Sequence, residues 1–288
     1  MYFAAMNAGR KINLKVALLD LYEGVANQGM RCIREILHEF AQNHAMELQL
    51  DEFEVRQQME IPGMDYDVYV SSGGPGSPLD SAGSEWEEKY FKWISTIEQH
   101  NHTSFNKKHI LFICHSFQLA CRYFDVATVN KRKSTAFGVF PVHLLFGASK
   151  EPIFKGLNDP FYTVDSRDYQ VVQPRLENIH KIGGEILAIE KARPHVPYER
   201  AVMAIRFNSY MIGTQFHPEA DASGMLQYLM SEEKKQLVIE QHGEEKWHSM
   251  TEQLNDPQKI MHTYAHVLPN FLHNALPESI KHSIIPTT

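Results

Sequence analysis

Three short segments of this chain carry groups suited to acyl-transfer chemistry. The first is Ser72-Gly73-Gly74-Pro75-Gly76-Ser77, directly after a short β-rich run. Glycines at such a place let the backbone approach a ligand, and their N–H groups can receive an anion or an oxyanion. No Gly-Lys-Ser/Thr follows, which excludes a nucleotide phosphate-binding loop. The second is Cys114, where an apolar run ends and a helical pattern starts at once. That is the layout of a nucleophile elbow: the turn lifts the sulfur off the sheet and the helix N-terminus favours its thiolate. The third is His217-Pro218-Glu219. A histidine there can take a thiol proton and return it to a leaving amine, and a carboxylate two residues on can orient the ring, with proline stiffening the link. Each segment alone also has an ordinary reading: a tight turn, a buried structural cysteine of the kind expected for Cys32 and Cys121, or a chance His-x-Glu.

The elements that would position these groups are legible around them. Lys15–Asp20 reads as a buried strand, followed by a helix with Ile33, Ile36, Leu37 and Phe40 at three-to-four spacing. Leu48–Val55 alternates as a second strand, and Asp67–Val70 is a short third strand ending at the glycine loop. Ser84 with Glu87 forms a capping-box pattern, and Trp86, Tyr90, Trp93, Ile94 and Ile97 then make one apolar stripe, read as core. His109–Cys114 is a fourth strand running into a helix with Leu119, Phe124 and Val126. From Thr135 to Ile205 the text is strand-rich and punctuated by glycine and proline, which predicts antiparallel edge strands and loops. Met211–Phe216 ends the sheet region. The alternation of strands and helices predicts an α/β domain with a largely parallel sheet over residues 1–230. A helical extension is expected over 231–288, with one helix stopped near Gly243 and another opened by Asp256-Pro257 and interrupted by Pro269.

In this chain order the glycine loop, Cys-x-x-x-Gln and His-Pro-Glu resemble the class I glutamine amidotransferases, the glutaminase domains or subunits of enzymes such as GMP synthetase. The resemblance covers about residues 14 to 230. It implies an open, mostly parallel, flavodoxin-like sheet flanked by helices, bearing a Cys-His-Glu triad that releases ammonia from the glutamine side chain. Carried over by position, Cys114 is the nucleophile, His217 the general base and acid, and Glu219 the orienting carboxylate. The N–H groups of Gly74 and His115 match the oxyanion hole. Gln118 matches a residue contacting the amino-acid end of the substrate. Ser166 matches the serine of a Ser-His pair near the same group, with Arg167 in place of that histidine. The family elbow, Gly-x-Cys-x-Gly, is altered: Phe112 and Ser116 stand at its two glycine positions, and the phenylalanine is expected to change the turn or fill part of the pocket.

Composition narrows the remaining classes. With 28 basic against 35 acidic residues, a net of -7, neither a nucleic-acid surface nor a polybasic membrane patch is expected. No apolar run reaches the roughly 20 residues of a membrane span, and the start of the chain lacks a signal-peptide layout. Three cysteines at irregular spacing give neither a disulfide framework nor a zinc pattern, which predicts a cytoplasmic protein. His262 and His266 lack a third ligand at matching spacing, so neither a metal nor a cofactor is expected, and Lys131-Arg132-Lys133 reads as a solvated turn. The expected ligand is glutamine or a γ-glutamyl compound, with a separate ammonia-accepting synthetase as partner, since no ATP-binding motif follows Glu219. Two other readings stay open: hydrolysis of γ-glutamyl amides or peptides, and a non-catalytic or partner-dependent binding protein of the same fold.

Overall fold

In the first strand, β1 (Ile12–Asp20), Leu14, Val16 and Leu18 join one buried cluster, while Ala17 and Leu19 join another. A strand apolar on both faces is stable only inside a sheet with helices on each side. The computed structural model has that arrangement and describes residues 12–25, 27–193, 199–256 and 259–281. The start of the chain and Pro257, both interpreted above, lie outside these residues.

The strands after β1 are β2 (Met46–Glu54), β3 (Val68–Ser71), β4 (His109–Ile113), β5 (Thr128–Leu144), β6 (Phe161–Val172), β7 (Glu185–Glu190), β8 (Val202–Asn208) and β9 (Met211–Thr214). They form a single sheet in the order β2-β1-β3-β4-β9-β8-β7-β5-β6. The first five in that order run parallel, and the other four continue the sheet antiparallel. The sheet curls, so that Val164 of the far edge strand accepts a 2.9 Å hydrogen bond from the His217 N–H just beyond β9. The carboxyl ends of β1, β3, β4 and β9 thus lie on one side, the usual ligand side of open α/β sheets.

One face of the sheet is covered by α1 (Gln28–Asn43), the other by α2 (Glu85–Thr103) and α3 (His115–Tyr123). Ser84 caps α2 through the Glu87 N–H, but only half of the expected capping box forms. The Glu87 carboxylate is buried and turns to Ser81 and Arg122 instead. A short α4 (Leu176–Lys181) follows β6. Then α5 (Ala222–Leu229), α6 (Glu232–His242) and α7 (Glu244–Leu254) pack on β5 and β6 through Leu229, Val238, Trp247, Met250 and Leu254. The sequence reading did not anticipate α7; Gly243, at φ +85°, separates it from α6 in a conformation that glycine adopts freely.

The last long helix, α8 (Ile260–Ala275), precedes the single turn of α9 (Glu278–Lys281). It starts after Lys259 rather than Asp256, and it runs through Pro269, where an interruption was expected. Val267 and Leu268 before the proline, with Phe271 and Leu272 after it, are all buried, and Asn270 donates to the carbonyls of Ile153 and Lys155. Packing on both sides offsets the ~3 kcal/mol that an internal proline costs. These apolar residues belong to the same cluster as β1 and α1. The helical tail expected from residue 231 is therefore built into the domain core at α8.

Candidate active site

Cys114 sits between β4 and α3 at φ +50° and ψ −98°, a conformation a non-glycine residue holds only when its surroundings enforce it. Three ties do so. Its N–H donates to Thr214 O at 2.8 Å, and its carbonyl accepts from the Gln118 N–H at 3.0 Å. The third tie is Ser116, fully buried, whose hydroxyl accepts from the Ile113 N–H at 2.8 Å and donates to Ser71 O at 2.7 Å. The serine at a family glycine position thus links the elbow to the end of β3.

Phe112 does not fill the site, contrary to one expectation. Its ring lies in the α2/α3 core, edge-on to Phe207 at 5.9 Å. It pairs across the ladder with Gly213 of β9, where an added Cβ would stand 3.3 Å from Phe112 Cβ and 2.6 Å from the Phe117 ring. Gly213 thus leaves room on the β9 side of Phe112.

The glycine loop lies beside Cys114. A Cβ on Gly74 would come within 2.5 Å of Leu21 O, so only glycine fits, and one on Gly73 would meet His217 Cε1 at 2.9 Å and Cys114 Cβ at 3.6 Å. Arg56 holds this loop to the end of β1: Nη1 donates to Pro75 O at 2.7 Å and to Leu21 O at 3.3 Å, and Nη2 pairs with Glu23 at 2.8 Å. His115 occupies the first position of α3, where the N–H has no partner within the helix. Its side chain is buried, and burial, with Arg56 and Arg122 nearby, pushes its pKa down to about 3. The imidazole there is neutral, and what His115 offers the site is its backbone.

His217 Nδ1 lies 2.9 Å from Glu219 Oε1, and its Cε1 and the Cys114 Cβ both flank Gly73. Burial disfavours the imidazolium, but the Glu219 charge, the Cys114 sulfur and the hydrogen bond to Glu219 outweigh it and hold the His217 pKa well above its ordinary value. Glu219 is 1% exposed and Cys114 4%. Cys114 and the His217–Glu219 pair, from well-separated parts of the chain, are thus brought together around Gly73. Such a set can pass a proton from thiol to ring while a fixed charge stabilises the cation.

Gln118 is buried, and its Nε2 donates to Gln215 Oε1 at 3.1 Å and to Tyr169 O at 3.2 Å. Gln215 Nε2 in turn reaches Cys114 Sγ at 3.7 Å. The sequence reading missed Gln215, although in extended backbone a residue two before His217 points the same way. Ser166 presents its carbonyl to Cys114 Sγ at 3.9 Å, while its side chain lies on the exposed face of β6.

Arg167 shares the Tyr169 carbonyl with Gln118, at 3.4 Å, but is held mainly by carboxylates. Its guanidinium, 1% exposed, donates to Asp165 at 2.7 and 3.0 Å and lies 3.6 Å from Glu190, which also pairs with Arg132 and Arg193. Arg132 is thus buried and paired, not part of a solvated turn. Arg167→Ala is expected to cost about 3–5 kcal/mol, because it strands the buried Asp165 charge. Urea unfolding checks this, and Asp165→Asn with Arg167→Met should recover most of the loss. A changed affinity for substrate at unchanged stability would instead give Arg167 a direct binding role.

Among the described residues no group of three or more His, Cys, Asp and Glu could hold a metal ion. The His262 and His266 rings are 4.4 Å apart, each with a nitrogen at a backbone carbonyl. No helix among them is long and apolar enough to cross a membrane.

A family model for glutamine amidotransferase class-I matches residues 17–236. No curated protein sequence matches the chain. Among solved structures, a glutamine amidotransferase from Thermotoga maritima is similar at 15% identity and a TM-score of 0.66, covering 91% of this chain and 97% of that one. A glutamine amidotransferase from Methylobacillus flagellatus is similar at 14% identity and a TM-score of 0.56, covering 91% and 96%. The glutaminase domain of Trypanosoma brucei CTPS with bound acivicin aligns at 14% identity and a TM-score of 0.53, covering 74% and 88%. At these identities the structures establish a shared fold.

Proposed function

The chain belongs to the class I glutamine amidotransferase family, and from that premise we propose that it hydrolyses the side-chain amide of glutamine through a γ-glutamyl thioester on Cys114. The Cys114 thiolate adds to the amide carbon, and the oxyanion that forms is received by the N–H groups of Gly74 and His115. One such donor typically contributes some 2.7–4 kcal/mol to barrier lowering. The His217 imidazolium gives its proton to the departing nitrogen, which leaves as ammonia. His217, now neutral, takes a proton from water, whose oxygen attacks the thioester carbon; the carbon–sulfur bond breaks, and glutamate departs as the thiolate is restored. Glu219 keeps the ring in one tautomer throughout. Gln118, Gln215 and the Ser166 backbone border the space for the amino-acid end of the substrate, and the ammonia passes to a separate synthetase. The observation that carries the reading is the His217–Glu219 pair and Cys114 gathered around Gly73, beside a loop that admits only glycine at position 74.

The two other readings gain no support at the site. Phe112, expected to change the turn or fill part of the pocket, lies in the α2/α3 core, and Arg167 is tied to Asp165 and Glu190. The test uses the intact chain with acivicin, a glutamine-analogue electrophile. One equivalent is expected to attach at Cys114, found by peptide mass, and ammonia release from glutamine should fall in step with labelling. Ammonia release that persists after full labelling refutes the proposal.

A further inference from the structure

One polar side chain at the site has no part in the chemistry above. Tyr22 lies just beyond the end of β1, and its hydroxyl is wedged between two glycines. A Cβ on Gly73 would stand 2.9 Å from that oxygen and 2.9 Å from His217 Cε1; a Cβ on Gly29 would stand 3.0 Å from it and 3.1 Å from Glu219 Oε1. A single methyl group at either position would thus touch both the phenol and one half of the His217–Glu219 pair. Across from it, Glu219 is buried with one oxygen on His217 and the other, Oε2, without a hydrogen-bond partner. Among the described residues the Tyr22 hydroxyl makes no hydrogen bond either. A buried carboxylate oxygen without a donor is costly, and the Tyr22 hydroxyl is a donor that the gaps at Gly29 and Gly73 bring close to the pair.

We propose that Tyr22 is a positioning residue for His217 and Glu219: its hydroxyl, seated in the gap that Gly29 and Gly73 leave, turns to donate to the Glu219 carboxylate and so fixes the group that fixes the ring. The phenol is suited to this, because burial first, and then the charges of Glu219 and Cys114, hold its pKa well above the ordinary value, so it keeps its proton. Gly29 and Gly73 are then the small residues that make room for the hydroxyl. Tyr22 touches neither substrate nor sulfur in this scheme; it acts through the carboxylate. The inference rests on the reading of His217 and Glu219 as a working pair.

The test removes one oxygen atom, by Tyr22→Phe in the full chain. In ammonia release from glutamine, kcat is expected to fall about tenfold with KM within about twofold. In a Glu219→Gln background the same change should add nothing further, since the group through which Tyr22 acts is already gone. By NMR the His217 titration should move upward in Tyr22→Phe, because the hydroxyl dipole no longer offsets the Glu219 charge, whereas a merely structural residue would leave it in place. Unchanged kcat with an unchanged titration overturns the proposal, as do losses that simply multiply in the double variant. A wild-type chain that releases no ammonia sinks the glutaminase reading, and the titration then decides the role of Tyr22 by itself.

Discussion

Cys114→Ser is expected to lower ammonia release from glutamine by roughly 10⁴–10⁶-fold while leaving the unfolding midpoint within about a degree of wild type. The size follows from removing a group that works as one unit with its base, for which single deletions in related acyl-transfer sites cost nearly as much as deleting the whole set. A serine hydroxyl has a far higher pKa than a thiol, so a histidine base suited to take a thiol proton is far less able to make an alkoxide in its place. The fold should not respond. The strained turn is held by backbone bonds to Thr214 and Gln118 and by the Ser116 hydroxyl, none of which uses the sulfur. Residual activity would come from the oxyanion donors. A coupled ammonia assay with excess enzyme reads the range; a loss under tenfold would mean that this sulfur does not attack the substrate.

Glu219→Gln should cost up to about 10⁴-fold in kcat, the scale seen when the orienting acid of a triad is made an amide. The amide is as large as the carboxylate, so what is lost is the charge and the fixed acceptor for His217 Nδ1. The pH dependence gives a second readout. Glu219 is one of the groups that hold the His217 pKa well above its ordinary value, so its removal should move the alkaline limb of kcat/KM to lower pH. Stability follows the same sign. A group whose folded pKa is raised contributes fully below its unfolded value, about 6.5 for histidine, and loses that contribution as pH rises through the folded value. Wild type should therefore lose stability toward alkaline pH over a span that the variant lacks. Coincident pH profiles of the two proteins would deny Glu219 this electrostatic role.

Much of this was open to inspection in the linear text, because the chemistry sits where strands end. Lys15–Asp20, Asp67–Val70 and His109–Cys114 announce themselves as short apolar runs that stop at a turn signal, and the order of loop, cysteine and His-Pro-Glu is readable without coordinates. What stayed hidden depended on partners remote along the chain. Arg167 stands at a family substrate-binding position, yet its neighbours in space are Asp165 and Glu190, and only β5–β6 pairing beside β7 reveals a buried ion cluster. Pro269 obeys its local rule until the packing of Phe271 and Leu272 is known. Tyr22 and Gln215 carried a weak signal, one at the end of a strand and one at period two from His217, but neither type of residue declares a role without its neighbours.

The ladder rung shared by Phe112 and Gly213 bears on how relatives of this chain should be sought. In this chain the small residue of that rung stands on β9, at Gly213, and the large one on β4, at Phe112. A Phe112→Gly change alone would leave a void, and a side chain at 213 alone would collide with three aromatic neighbours. A pattern written along the polymer, Gly-x-Cys-x-Gly, therefore rejects proteins that place the small residue sideways. A search phrased as the combined size of two facing positions would retain them.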